Sequence, residues 1–215
     1  MAATQEVMIS RANDIAETVL RPAAWANDRE GRFSTEAIDA LGSSGLLAMS
    51  LPIDLGGSAL GPRAFAGVVT TLAEADASVA MVYLMHTLAA ATIAAAPRND
   101  VFNQTLRDIC AGRHLSTLAF SEAGSRSHFW SPVSRARANG DSVVLSARKS
   151  FVTSAGFAHS YIVSALSPTA MGPTESTLYL GLASILGFPF RDHGTVLDCG
   201  RMPPRRCCWR IARSH

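Results

Sequence analysis

The chain changes from a helical to a strand pattern around Leu118-Ala-Phe-Ser-Glu-Ala-Gly-Ser-Arg-Ser127, where a short apolar run passes into a loop rich in serine. Short runs bounded by turn residues are typical of β-strands. Asn139-Gly140 predicts a tight hairpin, because both residues tolerate positive φ. Strand-like runs lie at 116–120, 134–138, 142–147, 150–153, 160–166 and 176–180. We therefore predict a small antiparallel, barrel-like β-domain over 114–180.

The residues before this stretch follow a helical pattern. Apolar residues recur at a spacing of three and four, Asn99-Asp100 is typical of a helix start, and Gly112 is typical of a helix end. Gly61-Pro62 opens a long helical stretch, with Pro62 suited to the first turn. We predict that 1–113 is an all-α helical domain, so the fold class of the chain is α+β.

One apolar segment, 79–96, carries no formal charge and is long enough to be examined as a membrane span. It is rich in alanine and contains His86 and two threonines, which favours a buried core helix with His86 as a hydrogen-bonded core residue. We predict no membrane association. The first 21 residues contain Glu6, Asp14 and Glu17 and have no apolar signal region, so a cytoplasmic location is the default expectation.

Composition excludes several classes of protein. With 48% hydrophobic and 17% charged residues among 215, the chain has enough apolar material to fold and too few charges for disorder. The net charge of +2 conceals a basic end, since 181–215 holds six arginines and two aspartates. No nucleic-acid module accompanies these arginines, so we predict no nucleic-acid binding.

The four cysteines lack the spacing of a zinc site, so we predict no metal.

The 118–127 stretch resembles the strand-to-loop motif A-x-T-E-P-x-A-G-S-D of the acyl-CoA dehydrogenase family. It is followed, at the family's spacing, by Gly140-Asp141, Leu145 and Lys149-Ser-Phe-Val-Thr-Ser154, which is similar to the family's G-x-K-x-W-I-T-N. Gly45-Leu-Leu with Leu51-Pro-Ile-Asp-Leu-Gly-Gly57 is similar to a third family segment. The resemblance covers about 33–180 and implies an N-terminal helical domain and a middle β-domain, with a C-terminal four-helix bundle in the family.

The resemblance implies FAD as cofactor and an acyl-CoA as substrate, with an electron-transfer flavoprotein or another acceptor receiving the electrons. A flavin ring has polar edge atoms that short hydroxyls and backbone N–H groups can satisfy. The family's positions carry over to the following candidate FAD contacts: Leu118, Phe120, Ser121, Ser127, Phe151 and Thr153. The candidate substrate contacts are Ser127 and Arg126.

The chain departs from the family pattern in these two motifs. Ala123 replaces proline, Arg126 replaces the second glycine, His128 replaces aspartate and Phe151 replaces tryptophan. A phenylalanine can still cover a ring face, whereas Arg126 beside a flavin or CoA pyrophosphate could change affinity or substrate choice. Two plainer interpretations stay open: the serines are turn hydroxyls without a ligand, and Phe151 is a core residue of an ordinary strand.

The family removes the α-proton of the thioester with a glutamate of its C-terminal bundle while a β-hydride moves to FAD, and nothing after Leu180 resembles that bundle. Glu122 occupies a structural position in the family, so we expect no catalytic base in this chain. We expect a truncated dehydrogenase with little or no turnover. Members of the family are homo-oligomers, and we do not predict the same for this chain. Two alternatives are a flavin-dependent monooxygenase of the same fold and a non-catalytic remnant.

The segment 181–215 has no assignable fold. It is rich in arginine, proline and cysteine, whereas Lys149 is the only lysine of the chain. Such a composition is typical of out-of-frame translation of a GC-rich gene. We hypothesise a frameshift after about Leu180.

Overall fold

The chain divides between Leu115 and Ser116 into a helical first unit and a second unit of short strands. The structure is a computed structural model that describes residues 4–126, 128–140, 142–183, 197–198 and 208–209. Helices followed by small sheets confirm the predicted α+β fold class. Most of the segment 181–215, including the proposed frameshifted part, lies outside the described residues.

The helices of the first unit begin and end where short polar residues and glycines predict. Asn99 accepts a hydrogen bond from the backbone N–H of Phe102, and Asp76 accepts from those of Ser78 and Val79. Gly112 ends the last helix with a φ of 71°. The described α-helices are α1 (Gln5–Ile15), α2 (Arg21–Glu30), α3 (Thr35–Ser43), α4 (Pro62–Ala75), α5 (Ala77–Ala95) and α6 (Asp100–Cys110).

Pro22 does not interrupt the first helical stretch of the chain. A wide π-helical turn over Ala16–Leu20 joins α1 to α2, and Pro22 lies in the first turn of α2. Proline has no N–H to donate, so it is tolerated where a new helical turn begins. The wide turn thus lets one continuous helical path accommodate the proline.

Helix α5 is long and apolar enough to cross a membrane by length and composition, a test that a buried core helix also passes. Half of it is buried inside the protein. Val79, Ala80 and Tyr83 belong to the apolar core of the first unit. His86 is fully buried and its Nε2 lies 3.0 Å from the carbonyl oxygen of Leu47. Helix α5 is therefore a core helix, as predicted.

The second unit contains three small sheets among its described residues, and they form no closed barrel. The sheet orders are β1-β5-β6, β2-β3-β8 and β4-β7. Its apolar core includes Ala119, Val163 and Tyr179. The strands are β1 (Ser116–Ala119), β2 (Arg137–Asn139), β3 (Ser142–Val144), β4 (Arg148–Lys149), β5 (Ser160–Leu166), β6 (Ser176–Leu182), β7 (Leu197–Asp198) and β8 (Cys208–Trp209).

Strand β1 pairs with β5 in parallel, with Ser116 opposite Ser160, so the antiparallel prediction holds for the other strand pairs and not for this one. Parallel pairing requires a long crossover, which the residues between β1 and β5 provide. Strands β2 and β3 form the predicted hairpin, but Asn139 pairs with Ser142, so its turn begins at Gly140, one residue later than predicted.

Candidate functional site

Two loops of the second unit lie side by side, and each contains one of the two motifs found in the sequence. The first loop, 120–126, follows β1, and the second loop, 150–157, follows β4. The backbone N–H of Ser150 donates to the carbonyl oxygen of Ser121 at 2.9 Å. The hydroxyl of Thr117 donates to the carbonyl oxygen of Thr153 at 2.7 Å. The structure therefore brings the two motif segments into direct contact.

A buried ion pair lies at the base of these loops, where Glu122 and Lys149 also form a β-bridge. The Lys149 Nζ is 2.7 Å from Glu122 Oε1, and the two side chains are 1% and 3% exposed. The same ammonium donates to the Phe120 carbonyl at 3.2 Å and to the Ser164 carbonyl and hydroxyl at 2.6 and 3.1 Å. Each proton donor of Lys149 is thus engaged by oxygen.

The two oxygens of the Glu122 carboxylate have different partners: Oε2 accepts hydrogen bonds, whereas Oε1 has no hydrogen bond among the described residues and lies at ion-pair distance from Lys149. Glu122 Oε2 accepts from the backbone N–H groups of Val133 and Ser134 at 2.6 and 2.9 Å, while Oε1 faces Lys149. Burial raises the pKa of the carboxyl, but the interaction with Lys149 and the hydrogen bonds from Ser134 outweigh burial and hold the pKa below its usual value. Burial lowers the pKa of Lys149, against the opposing effect of Glu122. Glu122 is therefore a fixed structural anion and not a general base.

The second loop presents an aromatic ring to solvent. Phe151 is 89% exposed and has a φ of 54°, and Ser154 has a φ of 60°. The prediction of a strand at 150–153 is therefore wrong, and so is the interpretation of Phe151 as a core residue. Left-handed φ is unfavourable for a bulky side chain and persists only where surrounding contacts impose it. Such residues concentrate at ligand sites, which makes the second loop a candidate for one.

Two hydroxyls on these loops are available to a ligand. Ser121 and Thr153 are half-buried, and in the part of the chain that the structure describes neither hydroxyl has a hydrogen-bond partner. They lie on the same two loops, which are in backbone contact, as the exposed Phe151 ring. This set of two hydroxyls and one ring fits a planar heterocycle with polar edge atoms, which is the chemistry of a flavin ring.

The side chains of the remaining candidate residues make no described contact that joins the two loops. Leu118 in β1 and Phe120 in the first loop are half-buried. Arg126 is exposed with a φ of 53°, and forms no ion pair with any residue that the structure describes. Ser127 lies outside the described residues. The His128 ring contacts the Trp130 ring in a tilted arrangement, with centroids 5.2 Å apart and an interplanar angle of 50°.

Sequence reasoning missed the ion pair. The signal for it was present, because the chain's single lysine falls inside one motif and Glu122 inside the other. The third participant, Ser164, belongs to neither motif. Its carbonyl and hydroxyl can be recognised as partners of Lys149 only once β5 is placed beside the loops.

Comparison with known proteins gives a family match. A sequence model described as the acyl-CoA dehydrogenase N-terminal domain matches residues 2–113, just over half of the chain. A curated relative, the probable acyl-CoA dehydrogenase fadE25 of Mycobacterium bovis, is 29% identical over 173 residues, which is 80% of this chain and 44% of the relative. The chain thus spans less than half the length of this relative.

Solved structures show the same fold. Butyryl-CoA dehydrogenase from Megasphaera elsdenii superimposes with a TM-score of 0.79 at 23% identity, covering 92% of this chain and 55% of that one. PigA in its FAD complex gives a TM-score of 0.75 at 18% identity, covering 98% of this chain and 54% of PigA.

Proposed function

Since the chain belongs to the acyl-CoA dehydrogenase family, we propose that it provides the flavin-facing surface of an enzyme that oxidises an acyl-CoA between its α and β carbons. The observation that carries this proposal is the contact between the two loops, which places the Ser121 and Thr153 hydroxyls and the exposed Phe151 ring on adjoining segments. The FAD complex of PigA, which shares the fold, supports FAD as the cofactor. The names of the similar dehydrogenases support an acyl-CoA substrate.

Each candidate residue has a distinct role in this proposal. The Phe151 ring would cover one face of a bound isoalloxazine, and the hydroxyls of Ser121 and Thr153 would serve its polar edge atoms. Leu118 and Phe120 would supply apolar surface to the ring system. When bound, FAD supplies the acceptor for the hydride that leaves the β carbon of the substrate. The positive charge of Arg126, with the hydroxyl of Ser127, suits a phosphate-bearing ligand such as CoA.

We also propose that this chain alone turns over an acyl-CoA slowly or not at all. Removing the α-proton requires a carboxylate that is free to approach the substrate. In the second unit, the two glutamates whose side chains are described are both engaged: Glu122 with Lys149, and Glu175 with the backbone N–H of Met171 at 2.9 Å. Neither is placed to act as the base.

Reduced flavin must pass its electrons on before a second turnover. We propose an electron-transfer flavoprotein, or another external acceptor, as the oxidant. Family membership supports this assignment, and the acceptor is exchangeable in a test because an artificial dye can replace it.

The experiment is a visible absorption spectrum of the purified chain after incubation with excess FAD and removal of free FAD on a desalting column. We expect flavin bands to remain with the protein. On addition of butyryl-CoA we expect bleaching that is slow or absent, because both described glutamates of the second unit are engaged by other groups. Rapid bleaching would show that a base is present and would contradict the proposal of low activity.

The matched variants are Phe151→Ala and Phe129→Ala, since both remove an exposed phenylalanine from the second unit. Only Phe151 lies on the second loop. We expect Phe151→Ala to lose flavin on desalting and Phe129→Ala to retain it. A wild-type chain that elutes without flavin, or equal retention by the two variants, would contradict the assignment of the FAD surface.

A further inference from the structure

The chain has a single lysine, Lys149, and its side chain is 1% exposed. We propose that the ion pair between Lys149 and Glu122 is a clamp that positions the first loop against the second loop, and so sets the geometry of the FAD surface. This inference rests on the proposed function, because that surface is the one assigned to FAD. Lys149 and Glu122 are positioning residues, since both are buried beneath the loops and act through their neighbours.

One ammonium group joins three parts of the second unit. Lys149 is the last residue of β4 and leads directly into the second loop. Its Nζ holds the carbonyl oxygen of Phe120 in the first loop, and the carbonyl and hydroxyl of Ser164 in β5. All seven residues of β5 are buried, so this strand is a fixed reference for both loops. The clamp therefore ties two exposed loops to the centre of a sheet.

The Glu122 carboxylate links the ion pair to a further segment of the second unit, at Val133 and Ser134. Glu122 follows Ser121 in the first loop, and its Oε2 holds the backbone N–H groups of Val133 and Ser134. A charge in a medium of low polarity is stable only while its partners stay in place. Small displacements of either loop are therefore opposed by the loss of charged hydrogen bonds.

The backbone of the second loop shows why such a clamp is needed. Phe151 is two residues beyond Lys149 and has the left-handed φ of 54°, which its side chain disfavours. The loop is held on one side by the ion pair and on the other by the bond from Thr117 to Thr153. Without the clamp, Phe151 is free to relax to an ordinary φ, and its ring then leaves the position assigned to the flavin face.

A lysine-specific endoprotease tests the clamp directly, because the only lysine-directed cleavage site in the full chain follows Lys149. We compare wild type, Glu122→Gln and Tyr179→Ala. Tyr179 is a buried core residue of β6 that makes no hydrogen bond to either loop, so its loss removes apolar packing from the second unit while every polar partner of Lys149 and Glu122 is kept. Urea is adjusted so that the two variants have the same global free energy of unfolding.

At equal global stability we expect Glu122→Gln to be cleaved at least about tenfold faster than Tyr179→Ala, because loss of the carboxylate charge removes the ion pair with Lys149 and opens the loops locally. Equal cleavage rates would overturn the clamp. If Glu122→Gln does not fold, Glu122→Asp takes its place, since it keeps the charge but withdraws it by one methylene. The same comparison then applies.

FAD affinity gives the second measurement, made on the same three proteins by flavin fluorescence. We expect Glu122→Gln to weaken FAD binding about tenfold or more, and Tyr179→Ala to weaken it less than about threefold. We also expect FAD to slow cleavage of the wild-type chain after Lys149. If the wild-type chain binds no FAD, the proposed function is contradicted. The cleavage comparison would still test whether the ion pair holds the two loops together. Equal losses of affinity in both variants would overturn the positioning role.

Discussion

Replacing Lys149 by methionine tests the energetics of the buried ion pair. The substitution keeps an unbranched side chain, one atom shorter than that of lysine, and removes its charge. It leaves Glu122 Oε1 facing an apolar group, and it leaves the Phe120 and Ser164 carbonyls without the ammonium that they bind. Removing one partner of a buried ion pair costs about 3–5 kcal/mol. Since a whole domain is stable by only about 5–15 kcal/mol, this is a large fraction of the total.

The pH dependence separates this mechanism from a simple packing defect. In the wild type the Glu122 pKa is lowered, so its stabilisation is present above the ordinary glutamate pKa of about 4.3 and is lost as the pH falls through the folded value. In Lys149→Met the burial that raises the pKa is no longer offset by lysine. The hydrogen bonds from Ser134 remain, so we expect the Glu122 pKa of the folded variant to lie above that of the folded wild type, and lowering the pH then stabilises the variant relative to wild type. We expect the loss in free energy of unfolding of Lys149→Met relative to wild type to be largest near neutral pH and to become smaller toward pH 4.

The assay is urea unfolding at several pH values, followed by hydrogen exchange in peptides of β5 so that the second unit is observed by itself. The double variant Glu122→Gln with Lys149→Met is the control. It carries no buried charge at this position, so we expect it to be more stable than Lys149→Met alone at neutral pH. The reasoning would be refuted if Lys149→Met lowered the free energy of unfolding by less than about 1 kcal/mol, or by an amount independent of pH. A double variant less stable than Lys149→Met would refute it as well.

Two further substitutions have outcomes that the structure determines. In the first unit, a Cβ added at Gly42 would lie 2.5 Å from the carbonyl oxygen of Gly112, so Gly42→Ala should cost about 1–3 kcal/mol, measured as a fall in the thermal midpoint. Gly61→Ala, where an added Cβ meets nothing within 4 Å, should change that midpoint little. In the second unit, Thr117→Val removes the hydroxyl that binds the Thr153 carbonyl and should cost about 0.5–1.5 kcal/mol by urea unfolding. A loss within error for either Gly42→Ala or Thr117→Val would contradict the packing described for it.

The sequence predicts those parts of the fold that local chemistry determines. The cap at Asn99 follows from a short polar side chain that satisfies a free N–H group of a helix start. Strand β5 has the predicted bounds of 160–166, because it is a long apolar run between turn residues. The parallel pairing of β1 with β5 was not predictable in this way, since it depends on residues far apart in the chain.

The candidate site shows the same division. The spacing of the two motifs predicts that their segments cooperate, and the structure brings them into contact through Ser121 and Ser150. The sequence of 150–153 favours a strand because aromatic and β-branched residues dominate it. In the structure the left-handed φ of Phe151 ends β4 at Lys149 instead. The residues on either side of Phe151 are bonded to the first loop and to β1, and a local sequence pattern does not contain such contacts.

A buried ion pair is a weak means of stabilising a protein, because the loss of hydration offsets much of the attraction, and an apolar pair of the same volume is often as stable. In this chain we expect the ion pair to act mainly by fixing the register of β4 against the first loop. In β4, Arg148 is exposed and Lys149 buried, so a slip of one residue against the first loop would bury the guanidinium and expose the ammonium. An apolar side chain at 149 would oppose that slip less strongly, since it requires no particular oxygen atoms. The register of β4 fixes which residue next enters the second loop, and therefore whether Phe151 or a neighbour presents its side chain at the candidate flavin surface.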